Sequence, residues 1–187
     1  MPAQPLDAEK QQNEALDTVP KKLPRGVVLG PDGKPCRSCT SFASWAAMTK
    51  RQPSNISSTT PPASAAASLS PPPNCPPDVD ELGRSSWNLL HTITANYPVS
   101  PSPQQQHDAR SFISSFSRLY PCWVCAEDFQ QWMKDERNAP RVSSRQEFGR
   151  WMCEAHNEVN VKLGKESFNC DRWEERWRTG WKDGSCD

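Results

Sequence analysis

The 187 residues contain no apolar run approaching the ~18 that a bilayer-spanning helix needs, so no membrane span is expected. Net charge is missing too. The 22 basic residues balance 22 acidic ones, which leaves no electrostatic case for nucleic acid or an anionic membrane as partner. There is no G-x-G-x-x-G, which removes a Rossmann-type dinucleotide site, and no segment alternates with the period of a strand. The opening MPAQPLDAEKQQNEALD is polar and carries acids. It has neither the apolar stretch of a secretory signal nor the Arg-rich, acid-poor character of a matrix presequence. Aromatics are nearly absent from residues 1–74, which hold 12 of the 19 prolines but only two of the 16 aromatics, Phe42 and Trp45. That part cannot bury enough apolar surface to offset its chain entropy. The expectation is a flexible, largely disordered tail over 1–74 followed by an all-helical domain over 75–187.

What is present is cysteine. The chain has eight, four of them in two C-x-x-C pairs, a usage that points to disulfides, metal or redox catalysis. An oxidising compartment reached without a cleaved signal reconciles those cysteines with the polar start, and the mitochondrial intermembrane space is one. Within the tail, GPDGKPCRSCTSFASWAA reads as an organised island between proline-rich and serine-rich stretches. About 35 residues separate Cys39 from Cys75, a flexible span of roughly 30–35 Å. The island can thus visit a site on its own domain or on a neighbouring subunit.

The domain reads as helices throughout. Asp78 with Glu81, and Ser102-Pro103 with Gln105, have the spacing of capping boxes that open two helices. Leu82, Leu89, Ile93 and Tyr97 recur at helical spacing as the core face of the first. Ala109, Phe112, Ile113, Phe116 and Leu119/Tyr120 do so on the second. A third helix is expected from about Pro121-Cys122, carrying Phe129, Trp132 and Met133. A fourth follows Ser144-x-x-Glu147 with Phe148, Trp151, Met152, Ala155 and Val159 inward. A short fifth begins at Asp171-x-x-Glu174, with Trp173, Trp177 and Trp181 in line, and ends near Gly180. Short connections favour a four-helix bundle with this fifth helix added.

Cys122 and Cys125, three apart at a helix start, put both sulfurs on one face. Unpaired N–H groups and the positive end of the helix dipole stabilise a thiolate there, which is what disulfide exchange requires. Zinc is the alternative for such a pair. Structural zinc sites set two motifs roughly 12–20 residues apart, whereas Cys39 and Cys122 lie 83 positions apart. A set of Cys122, Cys125, Cys153 and His156 leaves Cys170 without a partner. No metal is therefore expected. Cys36 and Cys39 suit a shuttle dithiol. Cys153 and Cys170 look structural, a bridge between them fastening the fifth helix. Cys75 and Cys186 lie at the two ends of the domain, and spacing does not decide whether they pair within a chain or between two.

Two stripes frame a candidate ligand site. One helix carries Cys153, His156, Asn157 and Asn160 in a row; another carries Arg84, Trp87 and His91 opposite its aliphatic face. Hydrogen-bonding but uncharged rows are unusual for a solvated face. A large planar polar ligand wants ring planes to stack on and amides to read its edges. Lys162, Lys165, Arg176 and Lys182 are cations available to a pyrophosphate.

With these residues assembled, the sequence closely resembles the Erv/ALR family of FAD-linked sulfhydryl oxidases. The resemblance runs through CPPDVDELGRSSWNLLHT, FSRLYPCWVCAEDF, GRWMCEAHNEVNVKLGK, FNCDRWEERW and TGWKDGSCD, and extends to KPCRSCTSFASW in the tail. It implies a homodimeric bundle that holds FAD non-covalently. It makes Cys125 the cysteine beside the flavin, Cys122 the interchange cysteine and Cys36–Cys39 the shuttle pair, handing electrons across the dimer. Cys153–Cys170 matches a structural bridge, and Cys75 with Cys186 the intersubunit bridges. Gly83, Arg84, Trp87, His91 and Tyr120 match FAD-lining positions. So do Cys153, His156, Asn157, Val159 and Asn160, and then Lys162, Lys165, Arg176 and Trp177. The family's mitochondrial members act in the intermembrane space, where they reoxidise an import oxidoreductase and pass electrons to cytochrome c or O2.

Overall fold

The structure, a computed structural model, describes residues 25–49 and 74–186; the remainder of the expected tail and linker lies outside the described residues. In chain order the helices are α1 (Phe42–Thr49), α2 (Val79–Ala95), α3 (Pro103–Leu119), α4 (Trp123–Met133) and α5 (Arg145–Lys162). A fifth bundle element follows, a 3-10 turn over Cys170–Arg172 and a π-helical turn over Glu175–Thr179. Among the described residues there is no strand, only an isolated bridge between Leu29 and Pro35. None of the described helices is long and apolar enough to cross a membrane.

The helix starts follow from local chemistry. Asp78 Oδ1 accepts the Glu81 N–H at 2.9 Å, and Ser144 Oγ accepts that of Glu147 at 3.1 Å. Ser102 and Gln105 cap each other reciprocally, side chain to backbone in both directions. Each such cap removes one orphan N–H and contributes about 1 kcal/mol. The fifth element departs from expectation. Its cap is Asn169, whose Oδ1 accepts the Asp171 N–H, and not Asp171 itself. Cys170 is tied to Cys153, so the turn begins at the bridged cysteine and the polar residue just before it takes the cap. Trp181 lies beyond Gly180, where φ of 79° ends the helical run, and stacks against Arg172 instead.

The core gathers Leu90, Ile113, Val142, Phe148, Trp151 and Met152, with Phe129, Trp132 and Met133 packed around them. Full burial of a side chain such as Phe148 or Met152 stabilises by about 1.5–3 kcal/mol. The polar atoms among them are satisfied: Trp151 Nε1 donates to the Asn138 carbonyl and Tyr97 Oη to that of Val142. A second cluster sets Trp173 against Ala95 and Cys153. Here Gly149 is required, because a Cβ at that position would lie 2.5 Å from the Trp173 ring.

The aliphatic stripe of α2 does not face this core. Leu89 is 56 % and Ile93 36 % exposed, and Leu119 at the end of α3 is 80 % exposed. Instead α2 buries Leu90, His91, Thr94 and Ala95. The side turned toward α5 carries smaller and polar groups because it walls a cavity.

Residues 25–49, which contain the organised island expected at 30–47, are folded against the bundle. Trp123 Nε1 donates to the Leu29 carbonyl at 2.9 Å, and Ser38 Oγ to that of Pro121 at 3.2 Å.

Candidate functional site

The chain breaks helicity at Tyr120 and Pro121, and Cys122 stands at the N-cap of α4 in extended conformation. That geometry sets Cys125 in the first turn, and the two sulfurs are joined. Cys122 is completely buried, while Cys125 faces a cavity of about 690 Å³. The second C-x-x-C is likewise closed, Cys36 to Cys39. The resemblance implies a hand-over across a dimer. In the single chain the Cys36–Cys39 pair already sits beside its own α4, since Ser38, between its two cysteines, touches Pro121. Cys153 is bonded to Cys170, which takes it from the zinc alternative. Closing that loop stabilises the fold by about 3 kcal/mol on chain entropy. Cys75 and Cys186 are exposed and not joined to each other within the chain.

The cavity lies between α2, α3, α4, α5 and the fifth element. Gly83, Arg84, Trp87 and His91 line it from α2, and Tyr120 and Cys125 from the α3–α4 junction. Cys153, His156, Asn157, Val159 and Asn160 contribute from α5; Lys165, Arg176 and Trp177 complete the wall. Two of the expected cations do not line the cavity. Lys162 ion-pairs with Asp128 at 2.9 Å and Glu158 at 3.2 Å and is not part of the wall. It sits at the end of α5, where the acids of α4 and of its own helix are closer than the cavity. Lys182 is also outside, 3.5 Å from Glu175.

Two parallel stacks build one side. Trp87 lies on His156, centroids 4.1 Å apart and planes 5° from parallel; His91 lies on Trp177 at 4.2 Å and 2°. The stacks are joined by a 2.9 Å hydrogen bond between His91 Nε2 and His156 Nδ1. Whichever ring accepts must be neutral at that nitrogen. Burial, then His156 and Arg176 nearby, pushes the His91 imidazole down to about 3. Burial, then Lys165 and Arg176, pushes His156 down to about 4. Both rings are uncharged at neutral pH, and the positive charge of the site rests on Arg84, Lys165 and Arg176.

Asn157 does something other than read a ligand edge. Its Nδ2 donates to the Phe168 carbonyl and its Oδ1 accepts the Phe168 N–H, both at 2.8 Å. The amide clamps the return loop that leads to Cys170. Phe116, Ala126 and Phe129 also line the cavity; helical spacing places the two phenylalanines in the core and gives no sign of Ala126. Phe129 was findable: it stands one helical turn after Cys125, on the same face.

The donor set fits a large, flat, anionic ligand. Ring planes offer stacking, three cations offer charge, and a disulfide sulfur faces the space at the N-terminal end of α4. A volume of this size is in the range of cofactor sites.

The chain's relatives agree with that chemistry. The profile of the Erv1/Alr family matches residues 84–178. The mitochondrial FAD-linked sulfhydryl oxidase ERV1 of Saccharomyces cerevisiae is 43 % identical over 171 residues, covering 84 % of this chain and 89 % of the relative. The mitochondrial FAD-linked sulfhydryl oxidase erv1 of Schizosaccharomyces pombe is 41 % identical, over 81 % and 90 %. Among solved structures, the yeast Erv1 core superposes with a TM-score of 0.57 at 50 % identity, covering 63 % of this chain and 98 % of that one. The chain therefore belongs to the Erv1/Alr family.

Proposed function

We propose that the protein is an FAD-linked sulfhydryl oxidase that generates disulfides in thiol proteins. The observation that carries this reading is the placement of Cys125: a disulfide sulfur at a helix N-terminus, facing a cavity walled by stacked indole and imidazole rings. Trp87, His91, His156 and Trp177 provide planes for FAD, and Lys165 and Arg176 the charge for its pyrophosphate.

Cys36–Cys39 takes the electrons first. A substrate thiolate attacks one sulfur of this pair, and the second substrate thiolate breaks the mixed disulfide. The substrate leaves as a disulfide; Cys36 and Cys39 hold its two electrons and two protons. One thiolate of the pair then attacks Cys122 Sγ and expels Cys125 as thiolate, and the other thiolate displaces Cys122 and re-forms Cys36–Cys39. The free N–H groups at the start of α4 stabilise the Cys125 thiolate facing the cavity. When bound, FAD supplies the two-electron acceptor and one-electron donor chemistry that lets the electrons leave for cytochrome c or O2.

The finer setting is the mitochondrial intermembrane space, with an import oxidoreductase as the thiol substrate; the mitochondrial naming of the two yeast relatives supports it. The working unit is a homodimer. The outward Leu89, Ile93 and Leu119, with Leu82, Phe112 and Phe116 beside them, support that reading as an apolar face suited to a second copy. The exposed Cys75 and Cys186 are the sulfurs that would bridge such copies.

An absorption spectrum of the purified protein, followed by heat release of the chromophore, tests the reading. The expected result is about one FAD per chain, retained on desalting. A colourless protein that takes up no added FAD overturns it.

A further inference from the structure

The contact between the N-terminal island and the bundle turns on one carboxylate. Asp78 is only 4 % exposed, yet it carries an acid, and a buried acid needs donors. It finds them at two helix starts at once. Oδ1 accepts the Glu81 N–H of α2 at 2.9 Å, and Oδ2 accepts the Phe42 N–H of α1 at 2.7 Å. Both helices direct their unpaired N–H groups and positive dipole ends at the same side chain. The island returns the favour: the Thr40 carbonyl accepts the Val79 N–H of α2 at 3.5 Å. Thr40 is itself fully buried, with Oγ1 accepting the Val28 N–H. Arg37, between the shuttle cysteines, stacks its guanidinium over Trp45 and Phe42 and donates to the Pro76 carbonyl, two residues before Asp78.

These contacts run from α1 through the 3-10 turn of residues 37–39 to the Ser38–Pro121 hydrogen bond at the start of α4. Cys39 is 6 % exposed and Cys122 0 % at that seam. An outside protein thiol has poor access to Cys122 there, while the island is already in place.

We propose that Asp78 is a positioning residue for the exchange between the two disulfides: by capping α1 and α2 together it docks Cys36–Cys39 against the end of α4 that holds Cys122. The inference rests on the reading of Cys36–Cys39 as the shuttle pair. It assigns to a helix cap a second task that capping α2 alone does not require. One oxygen suffices for the cap; the second is committed to the island.

Asp78→Ser separates the two tasks. A serine hydroxyl still caps α2 at Glu81 but has no second oxygen and no charge for Phe42. The test uses the full FAD-loaded chain carrying C36S and C125S, so that Cys39 and Cys122 remain as the lone thiols of their pairs. Diamide is added, and Cys39–Cys122 linking is followed by peptide mapping, with and without D78S. The expected result is linking slowed about ten-fold, the weight of one hydrogen bond to a charged acceptor. The melting temperature of the flavin-bound domain stays within about 3 °C, as a retained cap requires. Equal linking rates with and without D78S overturn the role of Asp78 and leave the shuttle reading standing. Absence of any link when Asp78 is intact overturns the shuttle reading and the inference with it. If D78S lowers the melting temperature as far as a lost cap does, the slowed linking counts as structural, and the positioning role is overturned.

Discussion

The two C-x-x-C pairs share a spacing and differ in what holds them. Cys122–Cys125 is built into the bundle: Cys122 is the N-cap of α4, fully buried, and the next turn of that helix packs Ala126 and Phe129 along the cavity. Cys36–Cys39 lies on an island joined to the bundle through a few polar contacts, at Asp78, Pro76, Pro121 and Trp123. A core-embedded pair keeps its place through every exchange, whereas a pair held by hydrogen bonds at a seam can leave at modest cost. The relay proposed above needs one of each: a fixed donor beside the cofactor, and a movable acceptor that meets the substrate.

The largest test of that contrast replaces one cysteine on each side. Cys125→Ser is expected to abolish oxidase turnover with any thiol, a loss of at least ~10³-fold, because no other sulfur of the pair faces the cavity. Cys36→Ser is expected to keep oxidation of a small dithiol while slowing a protein substrate. Oxygen uptake with dithiothreitol and with a reduced protein reads both. Equal slowing of both substrates by Cys36→Ser removes the shuttle role.

Stability should divide along the same line. Breaking the bridge with Cys170→Ser is expected to cost about 3 kcal/mol in denaturant unfolding of the bundle. Gly149→Ala is expected to cost about 1–3 kcal/mol, since its methyl meets the buried Trp173 ring at 2.5 Å with no room to yield. Neither change touches the island, so tryptic cleavage after Arg25 or Arg37 should be unaffected under native conditions. Faster cleavage there in Gly149→Ala would tie the two regions together and erase the contrast.

A smaller effect comes from acid. His91 and His156 have folded pKa values of about 3 and about 4, below the ordinary 6.5. The unfolded chain binds protons that the folded chain refuses. The stability these rings contribute by staying neutral is thus complete above pH 6.5 and is lost as pH falls from there through 4 toward 3. Protonating both also breaks the 2.9 Å bond between them and adds charge beside Lys165 and Arg176. Flavin release, followed by fluorescence between pH 7 and 3, should rise as pH falls through 4 toward 3. Retention unchanged to pH 3 would show that the stacks do not hold the cofactor.

Much of this was legible in sequence because it is local. Asp78 with Glu81, Ser102 with Gln105 and Ser144 with Glu147 announce their helices within four residues. The two C-x-x-C pairs and the row Cys153, His156, Asn160 announce the site. What escaped depends on distant partners. Helical spacing groups Leu82, Leu89 and Ile93 on one face but says nothing of whether that face finds a partner in its own chain. The amide of Asn157 was free to read a ligand until the return loop brought the Phe168 backbone to it. Nothing near Gly149 in sequence foretells Trp173, and Asp78 shows one helix cap in sequence but two in space.

Lys162 gives the smallest expected effect and the sharpest check on how the cavity is drawn. By sequence it stands with Lys165 and Arg176 as a cation for a pyrophosphate. In space it is tied to Asp128 and Glu158, with 40 % of its side chain exposed, and does not line the wall. An exposed pair of this kind contributes roughly 0–1 kcal/mol. Lys162→Ala should therefore leave flavin affinity within about three-fold and stability within ~0.5 kcal/mol. Arg176→Ala removes a wall cation and the group stacked on Trp177, and should weaken flavin binding about ten-fold or more. Titration of the two apoproteins with FAD compares them directly. If Lys162→Ala loses as much affinity as Arg176→Ala, then Lys162 leaves Asp128 to join the bound cofactor. The fixed half of the molecule would then have a moving part of its own.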